Sequence, residues 1–176
     1  EAAQRICREG LAAALSLREE REALRGELAR FCGAPADCSV VLVPNVSSAA
    51  MGVASCFPWK AGDRILLGRN EFPANTAPWL AASETHQLEP IWWDDDLLRT
   101  DPESGFQRLE SCLKESRPRL MAVSAVSFWS GYRYDLDRLA ELCHRYDAKL
   151  YVDAIQALGV VPVVMGRIDF LAGGSH

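Results

Sequence analysis

The chain has 176 residues, 49% of them hydrophobic and 24% charged, with a net charge of −5. That is enough apolar material for a real core, and the mild acidity argues against nucleic acid or an anionic membrane as the main partner. No apolar run approaches the roughly 20 residues needed to span a bilayer, no signal peptide opens the chain, and a cytoplasmic protein is expected.

Residues 2–32, rich in Ala, Leu, Glu and Arg, read as one long amphipathic helix. Residues 39–43 (SVVLV) read as a strand and 47–56 as a helix of small residues. After the turn KAGD, residues 64–67 (RILL) read as a strand, 75–83 as a helix or irregular turn, and 87–92 as a strand. The acidic run at 94–96 and DPESG mark a surface loop before a helix over 105–115. A strand follows at 120–126, a helix at 136–146, and strands at 149–153 and 168–172. Strands separated by helical patterns imply a three-layer α/β fold: a mostly parallel sheet with helices on both faces.

The six cysteines (Cys7, Cys32, Cys38, Cys56, Cys112 and Cys143) include no C-x-x-C pair and no zinc-like cluster. Reduced, mostly buried thiols are expected, with no metal site.

In a parallel sheet, ligands bind at the carboxyl ends of the strands. The loops PNVSSAA, RNEFPAN, SFWSGY and the segment DAIQ all fall there, gathering Asn45, Ser47, Ser48, Phe72, Ser127, Asp153 and Gln156. Ser47 and Ser48 open a helix, where free N–H groups and the dipole favour an anion; the plainer reading of Ser47 is an N-cap. Asp153 ends an apolar strand, and a carboxylate there needs a partner. A protonated pyridine nitrogen is one, with Gln156 on a ring oxygen and Phe72 stacked on the ring. The plainer readings are an N-cap for Asp153 and core packing for Phe72. Neither a Walker A pattern nor G-x-G-x-x-G follows any strand, which counts against a nucleotide-binding domain.

LYVDAIQALGVVPV followed by DFLAGGSH resembles the aminotransferase class V family of pyridoxal-phosphate enzymes. That family includes cysteine desulfurases, selenocysteine lyases, kynureninases and related epimerases and aminotransferases. The resemblance extends over ARFCGA, NVSSAA, GDRILL, NEFPANTAPW and VSFWSGYRYDLDRLAELCHRYDAKLYVDAIQ. It implies an incomplete large domain of the aspartate-aminotransferase type, with residues 1–35 as an N-terminal helical segment and 36–176 as part of the cofactor-binding domain. The rest of that domain and a small C-terminal domain would lie outside the segment.

Carried over residue by residue, the resemblance makes Asp153 the partner of the pyridine nitrogen and places Gln156 near the phenolic oxygen. Ser47 and Ser48 fall at the phosphate, Phe72 on the ring face, and Ser175 and His176 beside the cofactor, with Asp153 and His176 as catalytic positions. The family often has His where Phe72 stands, and Phe cannot move a proton. The family's cofactor lysine would directly follow His176. Lys60, Lys114 and Lys149, the lysines present, sit in a turn, on a helix and at the wrong end of a strand.

The implied function is a pyridoxal-phosphate-dependent reaction at the α- or β-carbon of an amino acid, such as a C–S lyase or cysteine desulfurase-like reaction. A class V aminotransferase or epimerase is an alternative, as is a non-catalytic cofactor- or partner-binding domain of the same fold. The resemblance also implies a homodimer with the active site at its interface. The aromatic loops FWSGY and APWLAA supply surface for it, unless Trp79, Trp129 and Tyr132 pack inside one subunit.

Overall fold

The computed structural model describes residues 2–174. The chain divides into two units, Glu1–Leu42 and Val43–His176. The first holds α1 (Ala2–Glu9) and α2 (Leu11–Phe31). Gly10, at φ +61°, breaks the expected single helix in two, because left-handed backbone ends a helix and glycine adopts it without a Cβ clash.

The second unit follows the alternation expected from sequence. Its elements are α3 (Val46–Cys56), β1 (Arg64–Gly68), a 3-10 turn (Pro73–Asn75), α4 (Ala77–His86), β2 (Glu89–Trp93), α5 (Asp96–Thr100) and α6 (Pro102–Ser116). β3 (Leu120–Ser124), α7 (Leu136–Arg145), β4 (Lys149–Asp153) and β5 (Phe170–Ala172) complete it. Among the described residues the strands form one sheet in the order β2-β1-β3-β4-β5, every neighbouring pair parallel. β1, β3 and β4 are apolar runs, as strands covered on both faces must be.

Side-chain alternation assigns the faces. Ile65, Leu67, Leu120, Ala122 and Tyr151 pack with Val46, Ala50 and Ala54 of α3 and Trp79 and Ala82 of α4. On the opposite face Met121 meets Cys143 of α7, S to S, at 3.6 Å. α6 joins α7 through Arg138, whose guanidinium lies 3.9 Å over the Phe106 ring and bonds Glu103. The helix starts are written in the sequence. Asp101 and Asp135 accept from Ser104 and Arg138 amides as N-caps of α6 and α7.

Four local expectations are corrected. Residues 39–43 form no strand, and Val41 is 72% exposed. A β-branched run becomes a strand only when a sheet edge receives it, and every strand of this sheet comes from residue 64 onward. The acidic run is not simply a surface loop: α5 starts at Asp96, and Asp95 is buried. Trp79 is fully buried against the sheet, so it supplies no surface, whereas Trp129 is 79% exposed. Of the cysteines only Cys143 is buried, and burial pushes its thiol up to about 12.

Candidate functional site

Asp153 is the last residue of β4 and only 2% exposed. Its Oδ1 accepts from the Ile155 amide at 2.9 Å, which closes a turn over 155–160 rather than capping a helix. No other hydrogen bond reaches this carboxyl group among the described residues. Burial pushes its pKa up, against the pull of the Ile155 amide. It stands on the α3/α4 face, two positions beyond Tyr151. The Tyr151 ring meets Trp79 edge-on at 4.9 Å, while its buried hydroxyl has no partner.

Asn45, not Ser47, caps α3: its side chain accepts from the Ser48 amide at 2.8 Å. Ser47 and Ser48 are therefore the second and third helical residues, with no hydrogen bond to either hydroxyl among the described residues. Small side chains suit an anion there, beside a first turn whose Ser48 amide is already taken by Asn45.

Phe72 is not core. It is 47% exposed and meets Phe128 edge-on, with ring centroids 5.1 Å apart. Gln156 is exposed on the turn after β4. Ser127 is buried but committed to its own turn, accepting from the Ser130 amide. Ser175 and His176 lie outside the described residues. The approach to them is seen: a Cβ at Gly173 would come within 2.9 Å of Leu158, and one at Gly174 within 3.1 Å of Ile155. The chain after β5 thus passes directly against the turn that carries Gln156.

Residues absent from the sequence reading complete this edge. Glu71 Oε1 accepts from the Ser124 amide at 2.7 Å, and Oε2 from the Ser124 hydroxyl at 2.5 Å and Asn75 Nδ2 at 3.0 Å. Burial pushes the Glu71 carboxyl up, against the pull of those donors. Asp95 accepts from the Asn70 amide and side chain and, at 2.8 Å, from the Tyr134 hydroxyl. Burial, then the Asp95 charge, pushes the Tyr134 hydroxyl up. Ser124 carries the same signature that marks Asp153, a polar residue closing an apolar strand. Asp95 is hidden by its acidic neighbours.

The structure joins the segments around residues 70–75, 124–127, 153–156 and 172–174. No hydrogen bond among the described residues links Ser47 or Ser48 to Asp153. Two grooves lie elsewhere. One of about 940 Å³ runs between β2 and α6, and one of about 390 Å³ lies beside Tyr132 and Val163; neither is lined by Ser47, Ser48, Phe72, Asp153 or Gln156.

An open parallel sheet with an uncompensated carboxylate at its carboxyl edge is the architecture of an α/β ligand-binding domain. More narrowly, the family model for aminotransferase class-V matches residues 3–176, and the chain belongs to that family. It is 30% identical over 160 residues to the uncharacterized aminotransferase YcbU of Bacillus subtilis, covering 90% of this chain and 41% of that protein. It is 29% identical over 164 residues to a probable cysteine desulfurase of Mycolicibacterium paratuberculosis, covering 88% of this chain and 23% of that protein. Among solved structures, the cysteine desulfurase CsdA of Escherichia coli superposes with a TM-score of 0.78 at 24% identity, covering 94% of this chain and 42% of that one. The cystine C-S lyase C-DES superposes at 0.84 with 20% identity, covering 99% and 48%. These likenesses establish the fold. The chain spans less than half the length of each of these proteins.

Proposed function

We propose that the protein containing this chain is a pyridoxal-phosphate-dependent enzyme acting at the α- or β-carbon of an amino acid, in a C–S lyase or cysteine desulfurase-like reaction. The observation that carries the reading is Asp153: buried, raised by burial, and with its carboxyl group bonded, among the described residues, to one backbone amide. A cationic ring nitrogen is the partner such a carboxylate needs. C-DES has been solved with glycine covalently linked to its pyridoxal-phosphate cofactor, and again with cysteine persulfide as its reaction product.

The residues present fit the group. Asp153 holds a proton on the ring nitrogen, and when bound the cofactor supplies an electron sink for bond breaking at the substrate's α-carbon. Phe72 offers an aromatic face for stacking but moves no proton. Gln156 sits where it can bond a ring oxygen. Ser47, Ser48 and the first amides of α3 take the phosphate. By the family resemblance, Ser175 and His176 are proposed as further cofactor-binding positions, and a lysine directly after His176 would be the residue that carries the cofactor. Residues 36–176 form part of the cofactor-binding domain. The persulfide-accepting thiol of a desulfurase comes from outside this chain, since none of the six cysteines ends a strand.

The matches to aminotransferases keep transamination as the second reading. Full-length protein that shows the visible absorbance of lysine-bound cofactor, and releases alanine and sulfur from cysteine, meets the first reading. Amino transfer to a keto acid without sulfur release meets the second. Absence of any cofactor band sinks both and leaves a non-catalytic domain.

We further propose a homodimer in the cytoplasm. Exposed Trp129, and exposed Phe128 against Phe72, support the interface, and six free cysteines support the compartment. Light scattering that finds a fully active monomer at micromolar concentration removes the dimer.

A further inference from the structure

The turn after β1 carries Phe72 between two anchored positions. On one side Asn70 donates its backbone and side-chain N–H to Asp95 Oδ1, at 3.1 and 3.3 Å. On the other, Glu71 takes both donors of Ser124 and one from Asn75. The two carboxyl groups flank Gly68, where an added Cβ would lie 3.1 Å from Glu71 Cγ and 3.3 Å from Asp95 Cγ. The anchors join the edge that holds Asp153. Tyr134 bonds Asp95 through its hydroxyl, and its amide donates to the Ala125 carbonyl. The Ala125 amide in turn donates to the Asp153 carbonyl at 2.7 Å.

We propose that Glu71 and Asp95 are positioning residues that hold the turn 70–75 so that Phe72 stands at a fixed place beside Asp153, ready to stack on a planar cofactor ring. The inference rests on the cofactor reading above. At Glu71 charge and not shape alone is required. Glu71 receives donors only, and an amide there turns an NH2 group toward the Ser124 amide or the Asn75 side-chain NH2, whereas at Asp95 an amide can keep both Asn70 donors and donate to the Tyr134 hydroxyl. Asp95 is buried and Glu71 partly so, and the Asp95 charge adds to the burial that pushes the Glu71 carboxyl up; such arrangements concentrate at functional sites.

The test uses the full-length protein with Glu71→Gln, Phe72→Leu and the double variant. Cofactor affinity is read from visible circular dichroism, and amide hydrogen exchange is read on cofactor-free protein. Glu71→Gln should weaken cofactor binding about tenfold, the worth of a hydrogen bond to a charged group. It should raise exchange across residues 70–76 by about the same factor while β4 is unchanged. In the Phe72→Leu background the added effect of Glu71→Gln on affinity should fall below about twofold, because both changes remove one device. Full additivity would show that Glu71 does not act through Phe72 and would overturn the proposal, as would unchanged exchange over 70–76. If the wild-type protein shows no cofactor band, the cofactor reading falls and with it the stacking role of Phe72. Exchange then reports separately whether Glu71 holds the turn.

Discussion

Ser124 and Asp153 are register partners at the carboxyl ends of β3 and β4. Both side chains stand on the face covered by α3 and α4, yet they differ in commitment. The Ser124 hydroxyl is spent on Glu71, while Asp153 keeps one oxygen free of any hydrogen bond among the described residues. One strand end is committed, and its neighbour keeps an oxygen without a hydrogen bond among the described residues.

That contrast sets the expected effect of Asp153→Asn. The amide keeps the bond from Ile155 and removes a buried, unpaired charge. Cofactor-free protein should therefore be as stable as wild type, or more stable by about 1–2 kcal/mol at neutral pH. The sign follows from the raised pKa: the folded state disfavours the ionised form, so the wild-type penalty is present above the folded pKa and fades as pH falls through it. Turnover of the complete enzyme should fall on the order of 100-fold or more as the ring nitrogen loses its partner. Urea unfolding and steady-state rates read the two effects. A variant that is both less stable and fully active would make Asp153 structural.

At the start of α3, Asn45→Ala removes the cap and should cost about 1 kcal/mol in thermal or urea unfolding. Ser47→Asp should separate structure from ligand. A carboxylate in the first turn favours the helix by about 0.3–1 kcal/mol but repels an anion. Cofactor affinity should drop while stability holds or rises. Unchanged affinity would remove Ser47 from the phosphate site.

Asp169 is expected to govern acid sensitivity. It accepts from Lys149 Nζ at 2.8 Å, His144 Nε2 at 2.7 Å and the Leu150 amide at 2.9 Å. Burial alone would raise its pKa, but the bonds from Lys149, His144 and Leu150 outweigh it and hold the carboxyl low. A depressed acid stabilises the fold above its unfolded value, near 3.9, and loses that contribution as pH falls through the folded value. Asp169→Asn should cost about 1–3 kcal/mol at pH 7. Its deficit against wild type should shrink as the solution is taken below about pH 4. A deficit that does not change with pH would assign the loss to packing.

Gly105 sets two known effects against each other. Alanine in a helix interior gains roughly 0.5–1 kcal/mol over glycine. Here its Cβ would sit 2.8 Å from the Leu98 backbone nitrogen and 2.9 Å from Leu98 Cα, where α6 packs on α5. Overpacking costs about 1–3 kcal/mol, so Gly105→Ala should destabilise. An unfolding midpoint at or above wild type would mean that α5 yields.

The alternation of elements was legible chiefly because the central strands β1, β3 and β4 are buried on both faces. Strands such as RILL and KLYVD show as unbroken apolar runs whatever their neighbours are. The helix over 136–146 was legible, but the start of α6 was not: Asp101 caps it through the Ser104 amide, and the helix opens at Pro102, inside the DPESG stretch that reads as a surface loop. Failures came where a residue's fate lies with distant partners. SVVLV has the composition of a strand but joins no sheet, and Trp79 has the look of an interface residue but fills the space over Tyr151.

By itself the sequence determined the layered α/β class and the family, and singled out Asp153 as a polar end to an apolar strand, because all three are carried by short-range patterns and motif order. Only the tertiary structure decided that Asn45 rather than Ser47 caps α3, that Phe72 is open, and that Glu71 and Asp95 bond the residues around its turn. Glu71 reaches Ser124 across 53 residues and Asp95 reaches Tyr134 across 39, and hydrogen bonds of that range exist only once parallel pairing has brought the strand ends side by side.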